Sequence, residues 1–133
     1  GLLPHYVDVD QPFCAQFLDK VDGAVLIHPL QPPLEVLAQI DACDIVFSSS
    51  LHGLICADSV GTPNAWVELS RNVVGDGYKF ADYYSCFDLT PTALRPMDPR
   101  ELEHAVEDIT STYSRPQLDR LCADLIDAFP SNL

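Results

Sequence analysis

Short unbroken apolar runs alternate with stretches in which apolar side chains recur at helical spacing through the first half of the chain. The runs over residues 2–9, 23–28, 44–48 and 64–69 read as strands, the first interrupted by Pro4, which suggests an edge, an end or a bulge. The second run, GAVLIH, is nearly continuous in apolar residues, as a parallel strand covered on both faces would be. Between the runs, Pro12 opens a helix carrying Phe13, Phe17 and Leu18, and Pro32-Pro33 opens one with Leu34, Leu37 and Ile40 inward. The order β-α-β-α-β-α-β with short connections predicts an α/β fold: a Rossmann-like parallel sheet with helices on both faces, in one domain over residues 1–133.

The stretch DIVFSSSLHGLICADSVG, residues 44–61, organises this pattern. A strand enters Ser48, Ser49 and Ser50, and Leu51, His52 and Gly53 then open an amphipathic helix with Leu51, Leu54, Ile55 and Val60 on its stripe, ended by Gly61 and Thr62-Pro63. The first N–H groups of such a helix lack internal partners and its dipole is positive there, so the turn suits an anion, with serine hydroxyls free to cap the helix or to meet ligand oxygens. His52 in the first turn is the candidate reactive group; the alternative is an ordinary capped helix with a half-buried histidine. His28, before Pro29, stands at the C-terminal end of a strand, where open α/β sheets bind ligands, and His5 lies in the first strand, either facing a cleft or satisfied structurally.

After these elements, the Gly75-Asp76-Gly77 loop precedes an aromatic-rich helix with Tyr78, Phe80, Tyr83, Tyr84 and Phe87, a pocket lining or a packing face. Residues 90–96 read as a linker with two prolines. Asp98-Pro99-Arg100-Glu101 is a capping box for a helix with Leu102, Ala105, Val106 and Ile109 inward. Ser114 with Gln117 caps a last helix whose long apolar face runs through Leu118, Leu121, Cys122, Leu125, Ile126 and Phe129.

Charge narrows the partners. Seven basic against 20 acidic residues give a net charge of −13, which excludes nucleic acid as a partner. It leaves room for a small anion held by a few local donors. Arg71 and Lys79 follow the central stretch closely; they are candidates for phosphate or carboxylate contacts, or they pair with acids such as Asp76 and Asp82. Five widely spaced cysteines without a C-x-x-C make neither a disulfide framework nor a zinc site, and fit the reducing cytoplasm, with Cys56 and Cys122 expected in the core. No apolar run approaches a membrane span, and the start at Gly1, without Met or a signal peptide, reads as a cut within a longer protein.

Three strings, GLLPHYVD, SSSLHGLICAD and GYKFADYY, together resemble the polysaccharide pyruvyl transferase family, in particular the ketal-pyruvate transferases of exopolysaccharide synthesis. The resemblance covers residues 1–87. It implies one half, the C-terminal, of a two-domain enzyme similar to GT-B transferases, with the N-terminal domain missing here. It implies transfer of pyruvate from phosphoenolpyruvate to two hydroxyls of a saccharide, expected to be lipid-linked at the cytoplasmic face of the membrane. No cofactor or metal is implied. By the same resemblance Ser49, Ser50, His52 and Gly53 would lie at the donor site, with His52 catalytic; Lys79 or Arg71 is the candidate charge partner, and Arg71, Lys79, His28 and His5 are further candidates for binding substrate, the two histidines ranking below His52. His28-Pro29 and Ser48–Ser50 also look like the short signatures of bacterial sialyltransferases, which would make the donor a nucleotide-activated sugar. A third reading is a non-catalytic binding module, since a GT-B active site needs both lobes.

Overall fold

The computed structural model describes residues 1–130. Its centre is a three-stranded parallel sheet of β1 (Leu2–Leu3), β2 (Val46–Ser48) and β3 (Asn64–Trp66), in that order across the sheet. Leu2 pairs with Phe47, Leu3 with Ser48, and Ser48 with Trp66. Two single parallel rungs extend it, Leu26 beside Leu2 and Leu94 beside Val67. With them the order along the sheet is second, first, third, fourth, fifth by sequence. In doubly wound sheets of that order the ligand crevice lies between the first and third members, beyond their carboxyl ends.

The described residues form six helices: α1 (Pro12–Lys20), α2 (Pro33–Asp41), α3 (Leu51–Val60), α4 (Tyr78–Ser85), α5 (Arg100–Thr112) and α6 (Leu118–Ala128), the last of which buries no residue. The pleat sorts the core. Leu2 and Phe47 point one way, against Cys14 and Phe17 of α1 and Leu102 of α5. Leu3 and Val46 point the other way, against Ile40 of α2 and Ala57 of α3. Helices therefore cover both faces, as the alternation of elements implies. A third cluster joins Leu54 of α3 to Phe80 and Tyr84 of α4, with Phe80 stacked on Trp66 at 4.2 Å between ring centroids.

The structure corrects several boundaries. The first strand ends at Leu3 rather than at residue 9, because Pro4 has no N–H for the ladder and the chain then turns, with the Asp8 N–H bonded to the His5 carbonyl. The run at 23–28 makes one rung instead of a strand: it lies at the sheet's edge, Ile27 is buried, but Val25 is 42% exposed rather than covered. Residues 90–96 are more than a linker, since the Leu94 N–H donates to the Trp66 carbonyl at the end of β3 and the Leu94 carbonyl accepts the Glu68 N–H just after it. Leu34 of α2 and Ile55 and Val60 of α3 are exposed, so neither apolar stripe is wholly inward.

Helix ends follow local chemistry. Gly61 takes φ 78 at the end of α3, with Thr62 N–H bonded to the Ala57 carbonyl and Gly61 N–H to Asp58, the two bonds of a Schellman turn. Glu101 reaches back to the Met97 and Asp98 N–H groups while Asp98 accepts from Arg100, the reciprocal bonds expected at the start of α5. The last helix departs from expectation. No side chain caps it, Gln117 bonds Asp88 instead, and Leu125, Ile126 and Phe129 are about 70% exposed, with Cys122 exposed as well. Cys56 packs, partly buried, against the second core cluster. Burial pushes the Cys14 thiol up to about 11. No helix among the described residues is long and apolar enough to cross a membrane.

Candidate functional site

Three loops meet where the strands end. After β1 the chain turns through His5 to Asp8, whose side chain is fully buried. After β2, Ser48 donates its hydroxyl hydrogen to the Leu3 carbonyl at 2.7 Å and accepts the Ser50 N–H, which locks the turn into α3. The next hydroxyl, Ser49, accepts the His5 N–H at 2.8 Å and donates to Asp8 Oδ2 at 2.7 Å. From the segment after β3, Ser70 donates to Asp8 Oδ1 and accepts the Asn72 N–H. One carboxylate thus ties together the loops that follow all three strands.

Helix α3 rises from this edge without a side-chain cap, so its first N–H groups keep their donor capacity. His52 stands exposed in that first turn. His5 lies within electrostatic reach of both His52 and Lys79. The His5 pKa is lowered, first by desolvation, then by the Lys79 charge, against a raising pull from Asp8, with His52 lowering it further. His5 Nδ1 accepts the Val7 N–H, which leaves the proton of the neutral ring on Nε2. Lys79 Nζ lies 5.4 Å from the Phe80 ring centroid, and neither Lys79 nor Arg71 pairs with a carboxylate among the described residues. The expected pairing with Asp76 or Asp82 is therefore not made.

Beside these groups opens a cleft of about 710 Å³, lined among others by Asp8, Ser49, Trp66, Ser70, Arg71 and Phe80. Of the residues singled out in the sequence, Ser49, Arg71 and Phe80 line it; His5, His52 and Lys79 do not, though His5 bonds Ser49 through its N–H and feels the charges of His52 and Lys79. Ser50 is buried at the helix start. Gly53 has a packing reason to be glycine: a Cβ there would lie 2.3 Å from Ser48 Oγ and 3.1 Å from a Leu3 methyl. His28 is exposed, outside the cleft lining, and its Nδ1 accepts the Leu30 N–H in a local turn, so the structure does not join it to Ser48–Ser50. Asp8, Ser70 and Trp66 were not legible as site residues. The only signal for Asp8 is an acid inside an apolar run broken by a proline.

A second buried acid lies at the other end of α3. Asp58 accepts from Tyr83 Oη and Tyr113 Oη, both at 2.7 Å, from Arg115 Nε at 2.8 Å, and from Asn64. Arg115 also donates to Asn64 and Tyr84, and lies against the rings of Tyr84 and Tyr113. Burial opposes the Arg115 charge, but the hydrogen bond and charge of Asp58 outweigh it and raise its pKa. Burial and the bond to Asp58 push both tyrosines well above the usual phenol range. This network binds α3, β3, α4 and the α5–α6 connection into one body. Among the described residues no group of three or more His, Cys, Asp or Glu is arranged to hold a metal ion.

A small parallel sheet with helices on both faces, and with a hydroxyl-rich turn and a histidine at its carboxyl edge, places the chain in the α/β class. The model of the family "Polysaccharide pyruvyl transferase" matches residues 2–71, more than half of the chain. The chain belongs to the polysaccharide pyruvyl transferase family. It is 37% identical over 91 residues to an uncharacterized protein of Acanthamoeba polyphaga mimivirus, covering 67% of this chain and 32% of that protein. The chain thus spans about a third of the length of this curated relative. No solved structure matches it.

Proposed function

We propose that the chain is the donor-binding lobe of an enzyme that transfers pyruvate from phosphoenolpyruvate to a saccharide as a ketal. The observation that carries this reading, beside family membership, is the uncapped start of α3 with exposed His52, and with His5 within electrostatic reach of both His52 and Lys79. Phosphoenolpyruvate carries two anionic groups. The N–H groups and positive dipole of α3 suit one of them, and the Lys79 ammonium suits the other.

The reaction sets what the residues must do. Two hydroxyl oxygens of the acceptor bond to the central carbon of the enolpyruvyl group. The methylene carbon takes one proton and becomes methyl, while the phosphate leaves with its bridging oxygen and the second proton. On this reading His52 gives the proton to carbon or meets the leaving phosphate. An acceptor carried on a lipid, a second lobe completing the cleft in the manner of GT-B enzymes, and work at the cytoplasmic face of the membrane belong to the same proposal.

Titration of the chain with phosphoenolpyruvate by calorimetry tests the donor site. Saturable binding is expected, weakened by about tenfold in His52→Ala, the loss of one charge-assisted hydrogen bond. In the complete transferase His52→Ala is expected to lower turnover by about 100-fold or more, the scale of losing an acid–base group. Unchanged binding and turnover would make His52 a surface residue.

A further inference from the structure

We infer that the corner of the cleft formed by Ser49 and Ser70 over Asp8 receives ligand hydroxyl groups, and that Asp8 is the positioning residue that makes it so. The hydroxyl hydrogens at this corner are all accounted for. Each serine hydroxyl has one, and both are committed to Asp8. Each also accepts one backbone N–H, from His5 at Ser49 and from Asn72 at Ser70. A hydroxyl oxygen has two lone pairs, so each keeps one, and the corner offers the cleft acceptors alone.

Turning either hydrogen outward would strip a donor from a fully buried carboxylate that has no cation within ion-pair distance among the described residues, a costly exchange. An anion placed here meets oxygen lone pairs backed by the Asp8 charge. A neutral polyol meets partners for its hydroxyl hydrogens. The neighbouring wall includes the half-buried Trp66, backed by the buried Phe80, an apolar surface suited to the carbon face of a sugar ring, and Arg71 at the rim disfavours an ammonium ligand. The two substrates are thereby sorted across one sheet edge: the anionic donor at the start of α3, the hydroxyls at Ser49 and Ser70. This rests on the transferase reading only for the identity of the polyol as its saccharide acceptor.

The test follows backbone amide resonances of the chain on titration with three separate probes: a neutral methyl hexopyranoside, inorganic phosphate and ethylammonium. The glycoside is expected to shift the Ser49, Ser70 and Asn72 amides saturably, and phosphate to shift those of Leu51, His52 and Gly53 instead. In Asp8→Asn the amide replaces one accepting oxygen with a donor and frees a serine hydrogen. The glycoside response should weaken by about tenfold, the scale of one hydrogen bond. Phosphate should now reach Ser49 and Ser70, a reversal that a loss of packing alone would not produce. Should Asp8→Asn not fold, Ser70→Ala replaces it, with the glycoside response weakened and no phosphate entering. Phosphate or ethylammonium moving the corner amides of the unaltered chain, or a glycoside that leaves them still, overturns the inference. A glycoside response at the corner without a phosphate response at α3 sustains it and overturns the donor-site reading alone.

Discussion

Two buried aspartates stand at opposite ends of helix α3, and they are held in different ways. Asp58 receives a guanidinium, two phenols and an amide, and its side chain is 1% exposed with Arg115 at 7%. Asp8 receives two serine hydroxyls and has no cation within ion-pair distance among the described residues. Asp58 also borders a hollow, of about 540 Å³, but its oxygens are already taken by a guanidinium, two phenols and an amide, so it serves the fold. A carboxylate held by hydroxyls that border a cleft passes its charge, through them, to whatever enters. Burial alone does not separate structure from site; the partners do.

The Asp58 side of this contrast can be broken most forcefully. Arg115→Ala leaves Asp58 buried without its cation, and breaking such a pair costs about 3–5 kcal/mol. Urea unfolding should show a loss of that order, because the network joins α3, β3, α4 and the α5–α6 connection. A loss below about 1 kcal/mol would mean that the guanidinium contributes little there and that the two acids are alike after all.

Gly53→Ala sharpens the other side at a smaller scale. The added methyl meets Ser48 Oγ and Leu3, both buried and neither able to move without disturbing the β1–β2 joint. Overpacking of this kind costs about 1–3 kcal/mol, read from the same unfolding curves. If stability is unchanged, the glycine is there for ligand approach rather than for packing, and the site extends further into α3 than Ser49.

The contrast also explains what was legible in the sequence. The turn from β2 into α3 announced itself, since its strand, serines, helix start and Gly61 terminator are all local signals. The two networks were not legible: Asp58 meets Arg115 across 57 positions and Ser49 meets Asp8 across 41, and no periodicity reports such partners. Pro4 was visible, but its effect depended on whether the chain went on as an edge strand or turned, which the contacts of His5 and Asp8 decided. The rung at Leu94 hid inside a proline-rich segment, because a single parallel pairing needs no strand pattern. The stripe of α6 is apolar, as its periodicity predicts, but Cys122 on it is exposed rather than in the core: periodicity identifies a face, and the partner for that face has to come from elsewhere.

The smallest effect belongs to His5, on the Asp8 side. Its folded pKa lies below the ordinary 6.5, chiefly from desolvation and the Lys79 charge, with Asp8 pulling the other way and His52 adding to the lowering. The folded chain therefore binds this proton less readily than the unfolded chain does. The associated stability is fully present above about pH 6.5, and it declines as the pH falls from there toward the folded pKa, below which no more is lost. Unfolding midpoints of the unaltered chain should drop slightly between about pH 7.5 and about pH 5.5, and His5→Gln should remove that part of the drop. The Arg115 network should be indifferent over this interval, since its tyrosines and arginine are held protonated by shifts in the opposite direction. If Arg115→Ala abolished the slope and His5→Gln did not, the proton-sensitive end of α3 would be the Asp58 end, and the assignment of one acid to the fold and the other to the site would have to be exchanged.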